Sequence, residues 1–482
     1  MKRISILLIL FIGLFASCEK EFLETAPTNQ ISDADVFKTA AGAQTVLDGV
    51  LRKLRAYNTT HDDFGVKAID LAWDLMGEDI VCPKNHWFNY DYQIDNRGAT
   101  YRRPRTTWQL FYQVINNVNN ILANADNISF ESDAQEANIR GQALALRGYA
   151  YFNLVTIFQF TYLGHENDLG VPIYLTPTTE GNPRAPVSQV YDQIVTDLDN
   201  AISMLEANTP SRRHISDLTL EVIHGLRARV ALEMGEWGLA ESHAADAREP
   251  YVLSTIDQWA SGFASYSSAE WMWGLEINDE QSTIYASFFS HLDMSIFGYA
   301  GLGYMPKYMS AALYNLLPDD DIRKTICEIQ NLSGTDFHIN YKFNSALAGK
   351  GFSGDYVMMR PEEMLLIEAE AIARQGERDD EVQVLLDDLH AVRQLAPVAV
   401  TATGSELLDL VLLERRFELW GEGFRGRDIK RLKIPLDRQG SNHNVTICWT
   451  LYEDAEYLGY LYKIPQQEID ANDNISEADQ NQ

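Results

Sequence analysis

Leu220-Glu221-Val222-Ile223-His224-Gly225-Leu226-Arg227-Ala228-Arg229-Val230-Ala231-Leu232-Glu233-Met234 is followed by Gly235-Glu236-Trp237 and then by Ala240, Ala244 and Ala245. The apolar residues of the first segment recur at helical spacing, and no strand-like alternation competes with them. Gly235 breaks the run where a left-handed C-terminal cap would stand. The alanines of the second segment line one helical face, and small side chains there let two antiparallel helices approach closely. Residues 218–248 therefore read as a helix–turn–helix pair.

Three further pairs follow the same rule. Glu362–Gln375 and Asp380–Arg393 are split by Gly376. Ala137–Phe158 pairs with Val187–Leu205 across an insert carrying Leu163-Gly164, Gly170-Val171-Pro172 and Pro177. Ala41–Arg55 pairs with Thr107–Ala123 across a long insert, residues 56–106. Stacked pairs of about 34 residues bury a continuous face between neighbours, so the expected fold is mainly α, a tetratricopeptide-like helical-repeat solenoid of about four pairs. Residues 249–360 are rich in Gly, Ser and aromatics with poor helical period, and read as an irregular mixed region packed against the solenoid. Long loops on such a scaffold are usually functional or disordered.

The N-terminus reads as an export signal. Met1-Lys2-Arg3 is basic, residues 4–15 are apolar, and Ala16-Ser17-Cys18 places small residues before a cysteine. That run is too short to span a bilayer, and its length suits a secretory signal. Cys18 is the expected lipidation site, with residues 1–17 removed and residues 18–30 serving as a tether to the membrane. The rest is expected to divide into an N-terminal part, 31–248, and a C-terminal part, 249–482, the latter comprising the irregular region, helices over 361–431 and a closing segment.

Composition narrows the function. Acidic residues outnumber basic ones 69 to 39, giving a net charge of −30, a field that repels phosphate backbones and argues against nucleic acid. Apart from Cys18, the cysteines Cys82, Cys327 and Cys448 are too few and too far apart for a disulfide framework or a paired-cysteine metal site. No HExxH, GxSxG or Walker loop occurs, and no metal or cofactor is expected. Gly421-Glu422-Gly423-Phe424-Arg425-Gly426 matches GxGxxG, but a helical run, Leu410–Trp420, precedes it where a nucleotide site needs a strand. It reads as a helix C-terminus and glycine turn inside an ion-pair network of Glu414, Arg415, Arg416, Glu418, Glu422, Arg425, Arg427 and Asp428. Asp470, Asn472 and Asn474 alternate like the start of a calcium loop, but Ile475 stands where that loop needs glycine.

The candidate binding residues lie in the first insert. Asn85-His86-Trp87-Phe88-Asn89-Tyr90-Asp91-Tyr92 packs four aromatics with amides and no aliphatics, which is not core spacing. Rings beside amides suit carbohydrate: sugar C–H faces stack on the ring and the amides bond hydroxyls. They also suit a peptide or protein surface, or a cluster that merely pins the loop. Trp87, Phe88, Asn89, Tyr90 and Tyr92 are therefore candidate ligand contacts, joined by Tyr299 and Tyr304 from a second aromatic region. Phe288, Phe289 and Trp271-Met272-Trp273 read as packing.

Six segments in order carry a family resemblance. They are Phe22-Leu23-Glu24 with Pro27; Trp108–Leu122; Ala145–Phe152 with Gly170-Val171-Pro172; Met359–Glu363 with Glu368-Ala369-Glu370-Ala371; Glu414–Glu418 with Glu422–Arg425 and Asp428; and Ile464-Pro465 with Glu468-Ile469 and the Gln480-Asn481 ending. Together they resemble the SusD/RagB family of outer-membrane nutrient-uptake lipoproteins. The loop Phe158–Gly164 departs from the family pattern. The resemblance implies a non-enzymatic, lipid-anchored surface protein on the outer membrane, facing the cell exterior. It implies a partner, a SusC-like TonB-dependent barrel transporter, to which it hands an oligosaccharide or polysaccharide as a hinged lid. A peptide ligand is the alternative, and a helical glycoside hydrolase the more distant one. A binding lipoprotein of an ATP-driven importer would need two α/β lobes, which the pattern lacks.

Overall fold

The computed structural model describes residues 36–267 and 271–482. Cys18, the signal-like segment and the tether lie outside the described residues. Eleven helices carry the architecture: α1 Ala40–Lys53, α2 Val66–Met76, α3 Arg102–Asn124, α4 Asp133–Phe158, α5 Val187–Asn208, α6 Leu220–Met234, α7 Trp237–Arg248, α8 Pro361–Gln375, α9 Asp379–Ala391, α10 Gly404–Glu418 and α11 Arg425–Leu432. Their ends follow local chemistry. Thr39 and Ser132 accept amide hydrogen bonds as N-caps of α1 and α4. Pro361 opens α8, and Gly235, at φ 73°, closes α6.

All four expected pairs form, and they stack in one series. α1 packs on α3 and α4, α4 on α5, α5 on α6, α6 on α7, and α7 directly on α8, which packs on α9 and α10. The solenoid thus continues from α7 to α8 across the whole irregular region, which is looped out of it. Helices α4 and α5 touch most extensively because Gly141 and Gly148 leave room: a Cβ on Gly141 would overlap Leu205, and one on Gly148 would crowd Leu198. Arg147 fastens the same seam. Its guanidinium donates to both oxygens of Asp197 (2.8 and 2.6 Å) and to Asn119 Oδ1 of α3 (2.9 Å).

Two features of the loops were not expected. The first insert contains α2, buried on nearly all sides between Gly65 and Gly77. The irregular region contributes strands to a four-stranded antiparallel sheet, ordered Ile80–Val81, Tyr308–Met309, Thr335–Asn340, Cys327–Leu332. The register Ile80↔Met309 and Val81↔Tyr308 ties the start of the aromatic insert to the end of the second aromatic region. Trp271, Met272, Trp273, Phe288 and Phe289 are core, as their sequence context suggested.

The charge cluster at the end of α10 is an ion network, wider than the sequence showed. Glu418, fully buried, accepts from Arg360 (2.7 Å), Arg393 (2.8 Å), Arg323 (3.1 Å) and Trp259 Nε1 (3.1 Å). Glu422 pairs with Arg360 (2.7 Å) and Lys342 (2.5 Å), and Glu362 with Arg360 and Arg393. Burial opposes these charges, yet the surrounding cations hold Glu418 well below the usual carboxylate range and bring Glu422 to about 2. The network joins α8, α9 and α10 to the looped-out region.

Candidate functional site

Three loops converge on one aromatic face: residues 57–64, 83–94 and 281–305. Phe88, Ile94, Ile284 and Met305 all have positive φ without being glycine, so the backbone of the latter two loops is held in conformations it would not choose alone. The sheet register above holds them together, and Lys84 Nζ donates to the Gly303 carbonyl at 3.0 Å.

Tyr299 sits at the centre of the face. Its ring centroid lies 5.7 Å from His61, 5.0 Å from His86, 6.5 Å from Trp87, 5.5 Å from Tyr285 and 6.2 Å from Tyr304. Its hydroxyl meets His61 Nδ1 at 2.6 Å. His61 lies parallel to Tyr285 at 6.5 Å, and His86 packs against Tyr304 at 5.1 Å. Behind them the buried His291 donates through Nε2 to the His61 carbonyl (2.6 Å); burial first, then Lys307, holds its pKa well below normal, so it is neutral. Tyr304 is 52% exposed and Tyr285 41%. Solvent-facing rings at several tilts, backed by a dry wall, offer apolar surface edged with hydroxyl and imidazole groups.

On the other flank of Trp87 a groove of about 570 Å³ opens, lined by Asp62, His86, Trp87, Asn89, Tyr90, Tyr101 and Arg102 among others. That volume lies within the range of small-ligand clefts. Tyr90, 58% exposed, faces Tyr101 at 6.3 Å. The groove's carboxylates are committed. Asp62 pairs with Arg102 at 2.5 Å, and Asp91 with Arg103 at 2.9 Å. Although burial opposes it, Arg103 and Arg102 hold Asp62 below the usual carboxylate range.

The structure thus brings Trp87, Tyr299 and Tyr304 together and sets Asn89 and Tyr90 in the groove wall. It buries Phe88 and Tyr92. The Phe88 ring, 2% exposed, lies under the Arg103 guanidinium at 5.0 Å and Lys307 at 5.4 Å. Tyr92, wholly buried, donates to or accepts from His443 Nδ1 at 2.7 Å beneath Arg438. These two rings anchor the loop; the surface belongs to their neighbours. His61, His86, Tyr285 and Tyr101, which border these rings, were not among the sequence candidates. His86 stood inside the aromatic run of the first insert and Tyr285 three residues before Phe288, whereas nothing in the sequence near His61 or Tyr101 marked either.

The other motifs resolve as structure. Gly421 and Gly423 have φ of 79° and 96°, and the amides of Gly423 and Arg425 donate to Asp74 (2.8 and 3.1 Å). A carboxylate therefore occupies the donors a phosphate would need. Asn472 Oδ1 caps the Asn474 amide at 3.0 Å within its own turn.

This architecture, a helical-repeat solenoid bearing an aromatic face on long loops, has known relatives. Residues 21–230 match a family model described as starch-binding associating with the outer membrane, and residues 325–482 match the SusD family model. The chain belongs to the SusD/RagB family. A SusD-like protein of Formosa agariphila is 22% identical over 94% of this chain and 96% of its own length. A SusD-like carbohydrate binding protein of Bacteroides vulgatus, 27% identical, superposes with a TM-score of 0.81 over 92% of this chain and 98% of its own. The surface glycan-binding protein A of Bacteroides thetaiotaomicron in complex with laminarihexaose is 17% identical, with a TM-score of 0.68 over 91% of this chain and 98% of its own. No helix among the described residues is long and apolar enough to cross a membrane.

Proposed function

We propose that this protein captures an oligosaccharide or polysaccharide at the cell surface, on the face built by His86, Trp87, Tyr285, Tyr299 and Tyr304. The observation that carries the reading is the convergence of exposed rings from separate loops around Tyr299, beside a groove whose amide and hydroxyl groups can meet sugar hydroxyls. The family's description as starch-binding and the laminarihexaose complex of a structural relative support the ligand class. Binding is favoured over hydrolysis because the groove's carboxylates, Asp62 and Asp91, are tied up in arginine pairs and not poised as a free acid and base. In this reading Cys18 is lipidated and residues 1–17 are then removed, residues 18–30 tether the chain, and the protein faces outward on the outer membrane. It closes as a hinged lid over a SusC-like TonB-dependent barrel and releases its ligand into it.

The test is affinity electrophoresis of the purified protein against plant, host and microbial polysaccharides. Retardation by one of them, abolished in Trp87→Ala, supports glycan capture at this face. Binding to a peptide library but to no glycan shifts the ligand class to peptide. Release of reducing ends from any polysaccharide overturns the non-enzymatic reading.

A further inference from the structure

The seam between α6 and α7 brings together a second cluster, on other helices than the loops of the aromatic face. His243 and Asp246 stand three residues apart on one face of α7, and His224 approaches them from α6. The two Nδ1 atoms are 2.9 Å apart, and Asp246 Oδ2 lies 3.9 Å from His224 Nδ1. One ligand atom from each residue lies within 4.8 Å of the others. The closeness follows from the alanine seam: Ala240, Ala244 and Ala247 are buried and let the helices approach until the imidazoles touch.

We propose that His224, His243 and Asp246 form a binding site for a divalent first-row transition-metal ion, clipping α6 to α7. With metal–nitrogen bonds of about 2.0–2.1 Å, an ion equidistant from the two Nδ1 atoms subtends an angle of about 90° at itself. That is the angle between adjacent ligands of an octahedral or square-planar ion, narrower than a tetrahedral site gives. Two imidazoles and a carboxylate in that geometry suit nickel(II) or copper(II). Asp246 is exposed and its carboxylate is free to swing onto the ion, with the remaining positions left to water. The nearby Arg227 is paired with Asp199 (3.0 Å) and Glu236 (3.4 Å), which offsets its charge beside the site.

Tag-free protein, stripped with a chelator and titrated with nickel chloride by calorimetry, tests this. One saturable site per chain is expected, with a micromolar Kd and a raised Tm for the loaded protein. His243→Gln keeps a hydrogen-bonding group against His224, so its metal-free Tm stays close to wild type while its affinity for nickel falls at least tenfold. Asp246→Asn, on the exposed side, weakens binding less. Absence of saturable binding, or the same affinity in His243→Gln, overturns the proposal.

Discussion

His61 and Tyr299 are 238 residues apart in sequence, yet the His61 Nδ1 and the Tyr299 hydroxyl are 2.6 Å apart at the centre of the aromatic face. The bond fixes the tilt of Tyr299 and so the spacing between the Trp87–His86 side of the face and Tyr285. Tyr299→Phe removes the hydroxyl and leaves the ring. Losing one intramolecular hydrogen bond costs about 1 kcal/mol of stability, so a small fall in Tm is expected, with a weaker affinity for the bound glycan because the ring is no longer held at its tilt, checked by calorimetry beside thermal unfolding.

Trp87 divides the face from the groove and contributes to both. Trp87→Ala should weaken retention by the recognised polysaccharide at least tenfold, a loss of about 1.4 kcal/mol. Circular dichroism should stay helical, because the ring is only half-buried and packs at the edge of the core. By contrast Phe88→Ala should lower stability by about 3 kcal/mol or more through the cavity it leaves, which a urea titration measures.

Glu418 is a hub for three arginines. Glu418→Ala leaves Arg360, Arg393 and Arg323 short of a buried counter-charge. A loss of about 3–5 kcal/mol is expected from breaking such a network on one side. Chemical denaturation should show it, and replacing the solvent-exposed Glu381 with Ala should not.

Acid sensitivity has identifiable sources. Burial, then Arg438, brings His443 to about 4 in the folded chain against 6.5 for the free side chain. A depressed histidine means the unfolded chain binds more protons between those values, so stability falls as pH drops from about 6.5 to 4. Glu422, at about 2, adds to the fall below its ordinary 4.5, because its pairing with Arg360 and Lys342 is lost on protonation. The Tm should therefore decline from pH 6.5 downward, and His443→Asn should flatten the part of the slope above pH 4.

The helix pairs were legible because each repeats the same physical demand: an apolar stripe, a breaking glycine, small residues where helices cross. Helix α2 escaped notice inside the long insert although Lys67, Asp70 and Asp74 recur at helical spacing; in the fold Lys67 and Asp74 are themselves buried. The insert's aromatic run pointed to the loop that carries part of the candidate face, but some of its rings turn inward. Phe88 and Tyr92 pack under Arg103 and Arg438, while Trp87 and Tyr90 face the groove. The His224–His243–Asp246 cluster gave no sequence signal because its ligands face one another across a helix seam.

The sequence by itself determined the repeat framework and the richness of the first insert in rings and amides, because helical periodicity and composition are local properties of the chain. Only the tertiary structure decided which rings form a surface. That choice rests on long-range pairing: the register of Ile80 with Met309 carries Trp87 to Tyr299, and the contact of α7 with α8 loops out the intervening residues. Contacts of such sequence separation depend on the whole packed core, and no local window of the chain contains them.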